Sequence, residues 1–215
     1  MIVGYRPYVQ SVGDLTEGKE VIASGMRQEV DRCRMALERA GGGAVVSLLS
    51  SGDAGVYGMA GLILEIAARL PLRPPIEIVP GISAANSAAA RLGAPLMLDY
   101  ACISLSDLLL PGEVIRRRLE AVAAADMTVA LYNAKSRQRT KLIEEAAAIF
   151  LRYRTATTPV GVATAVSNEE EERIEVSDLA HFLDVEMDMR SIVIIGNSSS
   201  LNLNGLFVTP RGYRL

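Results

Sequence analysis

Two turns hold the residues with the most chemical potential. The first is Ser50-Ser51-Gly52-Asp53-Ala54-Gly55-Val56-Tyr57-Gly58-Met59-Ala60-Gly61, and the second is Val79-Pro80-Gly81-Ile82-Ser83-Ala84-Ala85-Asn86. Each follows an apolar run and opens a helical pattern. Both would therefore present backbone N–H groups and small side chains at the carboxyl edge of one parallel sheet, where such sheets bind ligands. Asp53, ahead of a helix, reads as an N-cap. Gly52, Gly55, Gly58 and Gly61 recur at every third position. An interior glycine costs a helix roughly 0.5–1 kcal/mol relative to alanine, so this spacing implies that a ligand or a neighbouring backbone comes close. Phosphate fits poorly. There is no GxxxxGK[ST] and no GxGxxG after a strand with an acidic residue beyond it, and Asp53 at the mouth would repel an anion. A cationic or zwitterionic ligand with a nucleoside suits the turn better.

Other catalytic patterns are missing from the sequence. The single histidine, His181, falls in a short polar helix and reads as a surface residue. No Gly-x-Ser-x-Gly elbow occurs, and no carboxylate cluster has metal-ligand spacing. Asn168-Glu169-Glu170-Glu171-Glu172 reads as a solvated turn. Cys33 and Cys102 lie far apart without a CxxC, the pattern of two buried thiols in a reducing compartment and of no structural zinc. If this is an enzyme, it works by binding and orienting; no catalytic residue and no metal is assigned.

The elements that must position these turns follow from periodicity. With 215 residues, half of them apolar, the chain can bury one or two cores without disulfides. Its net charge of -3, with acids and bases interleaved, argues against nucleic acid as a partner. No run approaches the ~20 apolar residues of a membrane span. The start lacks the order of a signal peptide, so the expected location is the cytoplasm. Strands are expected over residues 2–5, 19–24, 44–49 and 76–79. Helices with apolar residues at spacings of three and four are expected from Met26 to Ala40, Val56 to Leu70 and Ala84 to Leu92. Strand and helix in alternation imply a parallel α/β sheet with right-handed crossovers. Beyond Asp99 the pattern changes. A helix over 111–125, a strand over 127–132, a helix over 139–153 and strands over 160–164, 173–176 and 191–195 suggest a second α/β domain with a mixed sheet. The expected domains are 1–100 and 101–215, with a ligand cleft between them.

Ser51 to Ala60, Val79 to Asn86, Leu92 to Met97, Ile103 to Leu109, Leu131 to Arg137, Ile194 to Ser198 and Val208 to Tyr213, with Gly4-Tyr5-Arg6, resemble the motifs of the precorrin-3B C17-methyltransferases. These are tetrapyrrole methylases of cobalamin biosynthesis. The resemblance implies a two-domain methylase that binds S-adenosylmethionine in the cleft and acts as a homodimer. It would methylate C17 of precorrin-3B, or of its cobalt-containing counterpart, with contraction of the macrocycle. Carried over by position, Gly52, Asp53, Val56, Tyr57, Ser83, Ala84, Tyr132, Asn133, Ala165 and Ser191 would line the cofactor. Ser106, Asp107, Lys135 and Arg137 would face the corrinoid, whose rim carries carboxylates. The alternatives are a sister methylase acting at another ring position and an inactive fragment of the C17 enzyme.

The chain departs from the family pattern in several places. Members begin with a strand and a Gly-x-Gly-Pro-Gly loop that touches the cofactor, and this sequence starts just after them. Weak stability and weak cofactor binding are expected on that account. Ala54 and Ala134 stand where the family usually has proline, which restores backbone freedom worth about 0.4–1 kcal/mol each. Thr164-Ala165-Val166-Ser167 and Ser191-Ile192 also differ from the usual residues of the cofactor wall.

Overall fold

The computed structural model describes residues 1–71, 73–136 and 139–214. The chain divides into two compact units, Met1–Ser83 and Ala84–Leu215.

In the first unit the elements are β1 (Ile2–Tyr5), α1 (Arg6–Ser11), β2 (Val21–Ser24), α2 (Glu29–Gly41), β3 (Ser47–Leu48) and α3 (Ala60–Ala67). The strands form one parallel sheet in the order β2-β1-β3, with Ile2 opposite both Val21 and Ser47. Helix α2 forms where the sequence predicts. Glu29 and Asp31 oppose the positive end of its dipole, Arg39 sits in the last turn, and its buried stripe includes Cys33, Ala36 and Leu37. These join Val3, Ile63 and Ala67 in a small core. Burial there pushes the Cys33 thiol up to about 11, against the opposing pull of Arg32.

Two expectations fail in this unit. Residues 76–79 join no sheet, although their Ile-Glu-Ile-Val sequence is strand-like. A strand needs a hydrogen-bonded neighbour as well as suitable side chains, and these residues make no backbone hydrogen bond among those described. The helix expected from Val56 begins only at Ala60, because the backbone before it is folded into the glycine turn.

The second unit contains α4 (Ala84–Leu92), β4 (Gly93–Ala94), β5 (Tyr100–Ser104), α5 (Gly112–Ala124), β6 (Thr128–Tyr132), α6 (Lys141–Phe150), β7 (Pro159–Thr164), β8 (Arg173–Asp178), β9 (Ser191–Ile195), β10 (Leu201–Leu203) and β11 (Leu206–Val208). Its main sheet has the order β5-β6-β9-β7-β8. Only the β5/β6 pair is parallel, so the sheet is mixed as expected. Strands β7 and β9 are buried at every position. Alternate residues of β9 serve two cores. Val193 and Ile195 pack with Ile115, Leu119, Ile143 and Phe150 of α5 and α6, while Ile192 and Ile194 pack with Ala85, Ala88 and Leu92 of α4.

Helix α4, expected in the first domain, thus packs in the second unit. A Cβ on Gly161 of β7 would sit 2.5 Å from Leu92 Cδ1, so a bare backbone there lets α4 lie close to the sheet. Cys102, expected to be buried, is exposed on the edge strand β5. The hairpin of β10 and β11 turns at Asn204-Gly205, both with positive φ (54° and 89°). Arg154, its side chain wholly buried, donates to the carbonyls of Gly196 and Met127. Desolvation lowers its pKa to about 10. Among the described residues, no helix is long and apolar enough to cross a membrane.

Candidate functional site

Asp53 caps no helix. Its Oδ1 accepts the Gly55 N–H at 2.8 Å and its Oδ2 accepts the Gly81 N–H at 3.0 Å. One carboxylate therefore ties the two glycine turns together. These donors, Gly81 foremost, hold its carboxyl below the usual carboxylate range. The glycines have separate reasons. A Cβ on Gly81 would lie 2.0 Å from the carbonyl oxygen of Gly52, and one on Gly58 would lie 2.5 Å from that of Ala54. Both are required by neighbouring backbone. Gly52 has φ +65°, and Gly61 faces open space. Of the first unit's expected cofactor residues, Gly52, Asp53, Val56 and Tyr57 belong to the first tied turn, and Ser83 follows Gly81 in the second.

In the second unit the register gathers the expected residues at one edge of the five-stranded sheet. Ser104 pairs with Tyr132, and Thr164 pairs with both Ser191 and Arg173. The ends of β5, β6 and β7 thus meet the starts of β8 and β9. Asn133 follows β6, and its Nδ2 donates to Ser104 Oγ at 2.9 Å. The Ser106 N–H donates to the same oxygen at 3.2 Å, which joins the loops after β5 and β6. Ala84 opens α4, and the next N–H, of Ala85, donates to the Tyr132 hydroxyl at 3.0 Å. Ala165 follows β7, and its N–H donates to the Arg190 carbonyl at 3.3 Å. The hydroxyl of Ser191 is taken up within the protein, 2.7 Å from Thr164 Oγ1 and accepting the Asp188 N–H at 2.8 Å. Asp107 is exposed and Lys135 half-buried, each a few residues past the end of its strand. Arg137 lies outside the described residues.

Three of the expected cofactor residues share an uncommon backbone. Tyr57, Asn133 and Ala165 have φ of 54°, 54° and 51°, the left-handed region that non-glycine residues seldom enter. Asparagine tolerates it; tyrosine and alanine do so at a cost of order 1–3 kcal/mol, and such residues cluster at ligand sites. Each turns the chain sharply where it leaves or approaches an element.

Sequence reasoning missed three supporting side chains. Ser104 holds both loops and sits inside the Ile103 to Leu109 motif, so its signal was present. Thr164 anchors Ser191. Tyr8 hydrogen-bonds Ser51 beside the first turn, and burial is the main cause of its raised pKa. Glu172 and His181 are engaged elsewhere. Glu172 accepts the Ser167 N–H at 2.9 Å and Arg91 Nε at 2.7 Å, which hold its carboxyl below the usual range. His181 sits on the surface with its Nδ1 2.7 Å from Asp178. Among the described residues, no group of three or more His, Cys, Asp or Glu could hold a metal ion.

The chain is 44% identical over 218 residues to the cobalt-factor III methyltransferase of Priestia megaterium, a match that covers 100% of this chain and 40% of that protein. It is 42% identical over 215 residues to the probable cobalt-factor III C(17)-methyltransferase of Salmonella typhimurium, covering 100% of this chain and 89% of that one. Among solved structures, the methyltransferase CobJ superposes with a TM-score of 0.89 at 36% identity, covering 97% of this chain and 87% of its own. The chain thus spans well under half of the Priestia relative but most of the other two. Residues 2–182 match the family model of tetrapyrrole (corrin/porphyrin) methylases, and the chain belongs to that family.

Proposed function

We propose that this protein transfers a methyl group from S-adenosylmethionine to C17 of a tetrapyrrole, with contraction of the macrocycle, in cobalamin biosynthesis. The observation that carries this reading is the likeness to the Salmonella C17-methyltransferase along all of the present chain. The names of both relatives favour the cobalt-containing substrate, cobalt-factor III, over metal-free precorrin-3B.

The geometry suits such a donor. Asp53 stays ionised through the neutral range, which favours a cationic sulfonium over a phosphate. Left-handed turns at Tyr57, Asn133 and Ala165 offer main-chain groups to a nucleoside and an amino acid. We assign cofactor contacts to Gly52, Asp53, Val56, Tyr57 and Ser83 in the first unit and to Ala84, Tyr132, Asn133, Ala165 and Ser191 in the second. Ser106, Asp107, Lys135 and Arg137 are assigned to the substrate. A sulfonium is an activated methyl donor, so the reaction needs no covalent nucleophile from the protein. Holding donor and ring carbon in line supplies up to ~7–11 kcal/mol of barrier reduction in ideal cases. The chain's task is to orient both partners and keep water out. The same reading makes it a cytoplasmic homodimer, which sedimentation would check.

The test is incubation with cobalt-factor III and S-adenosylmethionine carrying a labelled methyl, followed by mass spectrometry and carbon NMR of the product. One labelled methyl at C17 is expected. A methyl at another ring position would assign the chain to a sister methylase, and no transfer by a folded, cofactor-binding protein would overturn the reading.

A further inference from the structure

Among the described residues, four arginines are buried in part or in whole: Arg32, Arg116, Arg139 and Arg154. Three of them have acceptors within the protein. Arg32 donates to Ser24 Oγ at 2.7 Å and to the Gly25 carbonyl at 2.9 Å. Arg116 donates to Glu145 from Nε at 2.7 Å and from Nη2 at 3.2 Å. Arg154 donates to two carbonyls, and its Nε lies 3.6 Å from Asp126 Oδ1. Arg139 differs from all three. Its Nη1 is buried without a hydrogen-bond partner, and no hydrogen bond or ion pair within the protein engages its guanidinium. Burying a charged donor without an acceptor is costly.

The backbone that carries Arg139 is, by contrast, firmly held. It lies on the loop that leaves β6 after Tyr132 and enters α6 at Lys141. Asn133 is tied to Ser104, and Ala134 is buried in the core beneath α5 and α6. Ser136 and Arg139 are joined by three hydrogen bonds. The Ser136 N–H donates to the Arg139 carbonyl at 3.0 Å, and the Arg139 N–H donates to the Ser136 carbonyl at 3.3 Å and to Ser136 Oγ at 3.1 Å. From Leu131 to Thr140 the charged residues are Lys135, Arg137 and Arg139, with no acid among them. A fixed backbone, unused donors and an excess of positive charge make a receptor for an anion, and the planar guanidinium fork matches a carboxylate.

We propose that Arg139 binds a carboxylate on the rim of the tetrapyrrole substrate and thereby helps to select which edge of the macrocycle enters the site. The proposal rests on the reading of this chain as a tetrapyrrole methylase acting at C17. Arg139 is half-buried, so a group on the substrate's periphery can reach its open side. The free protein already bears the cost of the uncompensated guanidinium, so the carboxylate's contribution falls on substrate affinity and not on stability. S-adenosylmethionine also carries a carboxylate, but only one. Three cations on one loop suit the several carboxylates of a tetrapyrrole rim better.

The test titrates the full chain and its Arg139→Gln and Arg139→Lys variants with cobalt-factor III, followed by visible absorbance, and separately with S-adenosylmethionine, followed by calorimetry. Arg139→Gln should weaken binding of cobalt-factor III by about tenfold or more, the effect of losing a hydrogen-bonded charge, and should leave the affinity for S-adenosylmethionine within about twofold. Arg139→Lys, which keeps the charge without the fork, should recover part of the loss. The thermal midpoint of ligand-free Arg139→Gln should equal or exceed that of the unaltered protein, because no bond within the protein is removed. Unchanged affinity of Arg139→Gln for cobalt-factor III would overturn the proposal. So would a lowered midpoint with equal losses for both ligands, which would make Arg139 a structural residue. Loss of affinity for S-adenosylmethionine alone would assign the fork to the cofactor's carboxylate and overturn the assignment to the substrate. If the unaltered protein bound S-adenosylmethionine but not cobalt-factor III, the reading of its substrate would fail and this proposal with it, whereas equal binding by protein and variant would fail the proposal alone.

Discussion

The two sheets of this protein are built from similar residues and reach different ends. In the second unit, β7 and β9 have neighbours on both sides and helices over both faces, and every residue in them is buried. In the first, β3 is two residues long and half exposed. Val45 is 88% exposed and Val79 70%. Apolar, β-branched sequence is common to both. The difference lies in whether the strand edges find partners, and side-chain burial follows from backbone pairing.

Equivalent truncations in the two sheets give the largest effect that could break this comparison. Ile195→Ala, in the wholly buried strand β9, should lose about 2–5 kcal/mol, whereas Leu48→Ala in β3 should lose about 1 kcal/mol or less. Urea unfolding followed separately in each unit by amide exchange would measure both. Equal losses would mean that β3 is as enclosed as β9. Next is Gly81→Ala, whose added Cβ meets the Gly52 carbonyl at 2.0 Å. Overpacking against backbone should take about 3 kcal/mol from the first unit and leave the second unit's midpoint unchanged.

A pH titration sharpens the same contrast. The Asp53 pKa is lowered in the folded chain by the N–H groups of Gly81 and Gly55. Its contribution is therefore complete above the unfolded carboxyl pKa of about 3.9 and disappears as the pH falls through the folded value. The first unit's thermal midpoint should fall through that acid range, and Asp53→Asn should remove this part of the fall. An unchanged acid limb in the variant would show that the clamp does not matter. The smallest effect is Gly61→Ala within α3. Nothing lies within 4 Å of the added Cβ, so a gain of about 0.5–1 kcal/mol in the first unit is expected.

How far these features could be read in advance depends on how local their causes are. The α2 stripe, the strands β6, β7 and β9 and the small-residue helix α4 each carry their own periodicity or apolar run, and all were legible. Residues 76–79 look like a strand in isolation, and whether they pair depends on a hydrogen-bonded neighbour that their own sequence does not encode. Asp53 precedes a helical pattern, but its second oxygen is committed to Gly81, and no local pattern encodes that distant contact. The assignment of α4 to the second unit rests on Gly161 and Leu92, also far apart in sequence. The Asn204-Gly205 hairpin went unread, although this dipeptide favours two successive left-handed residues. The turns of the candidate site were legible as motifs. Their left-handed residues at Tyr57, Asn133 and Ala165 were not, because each conformation is imposed by the loop around it.

Amide exchange of the protein with and without saturating S-adenosylmethionine tests most directly the proposed binding of that cofactor at these turns. Protection at residues 52–57, 83–85, 132–133 and 165 is the predicted result. Protection confined to other residues, with these turns exchanging as they do in the free protein, would contradict it.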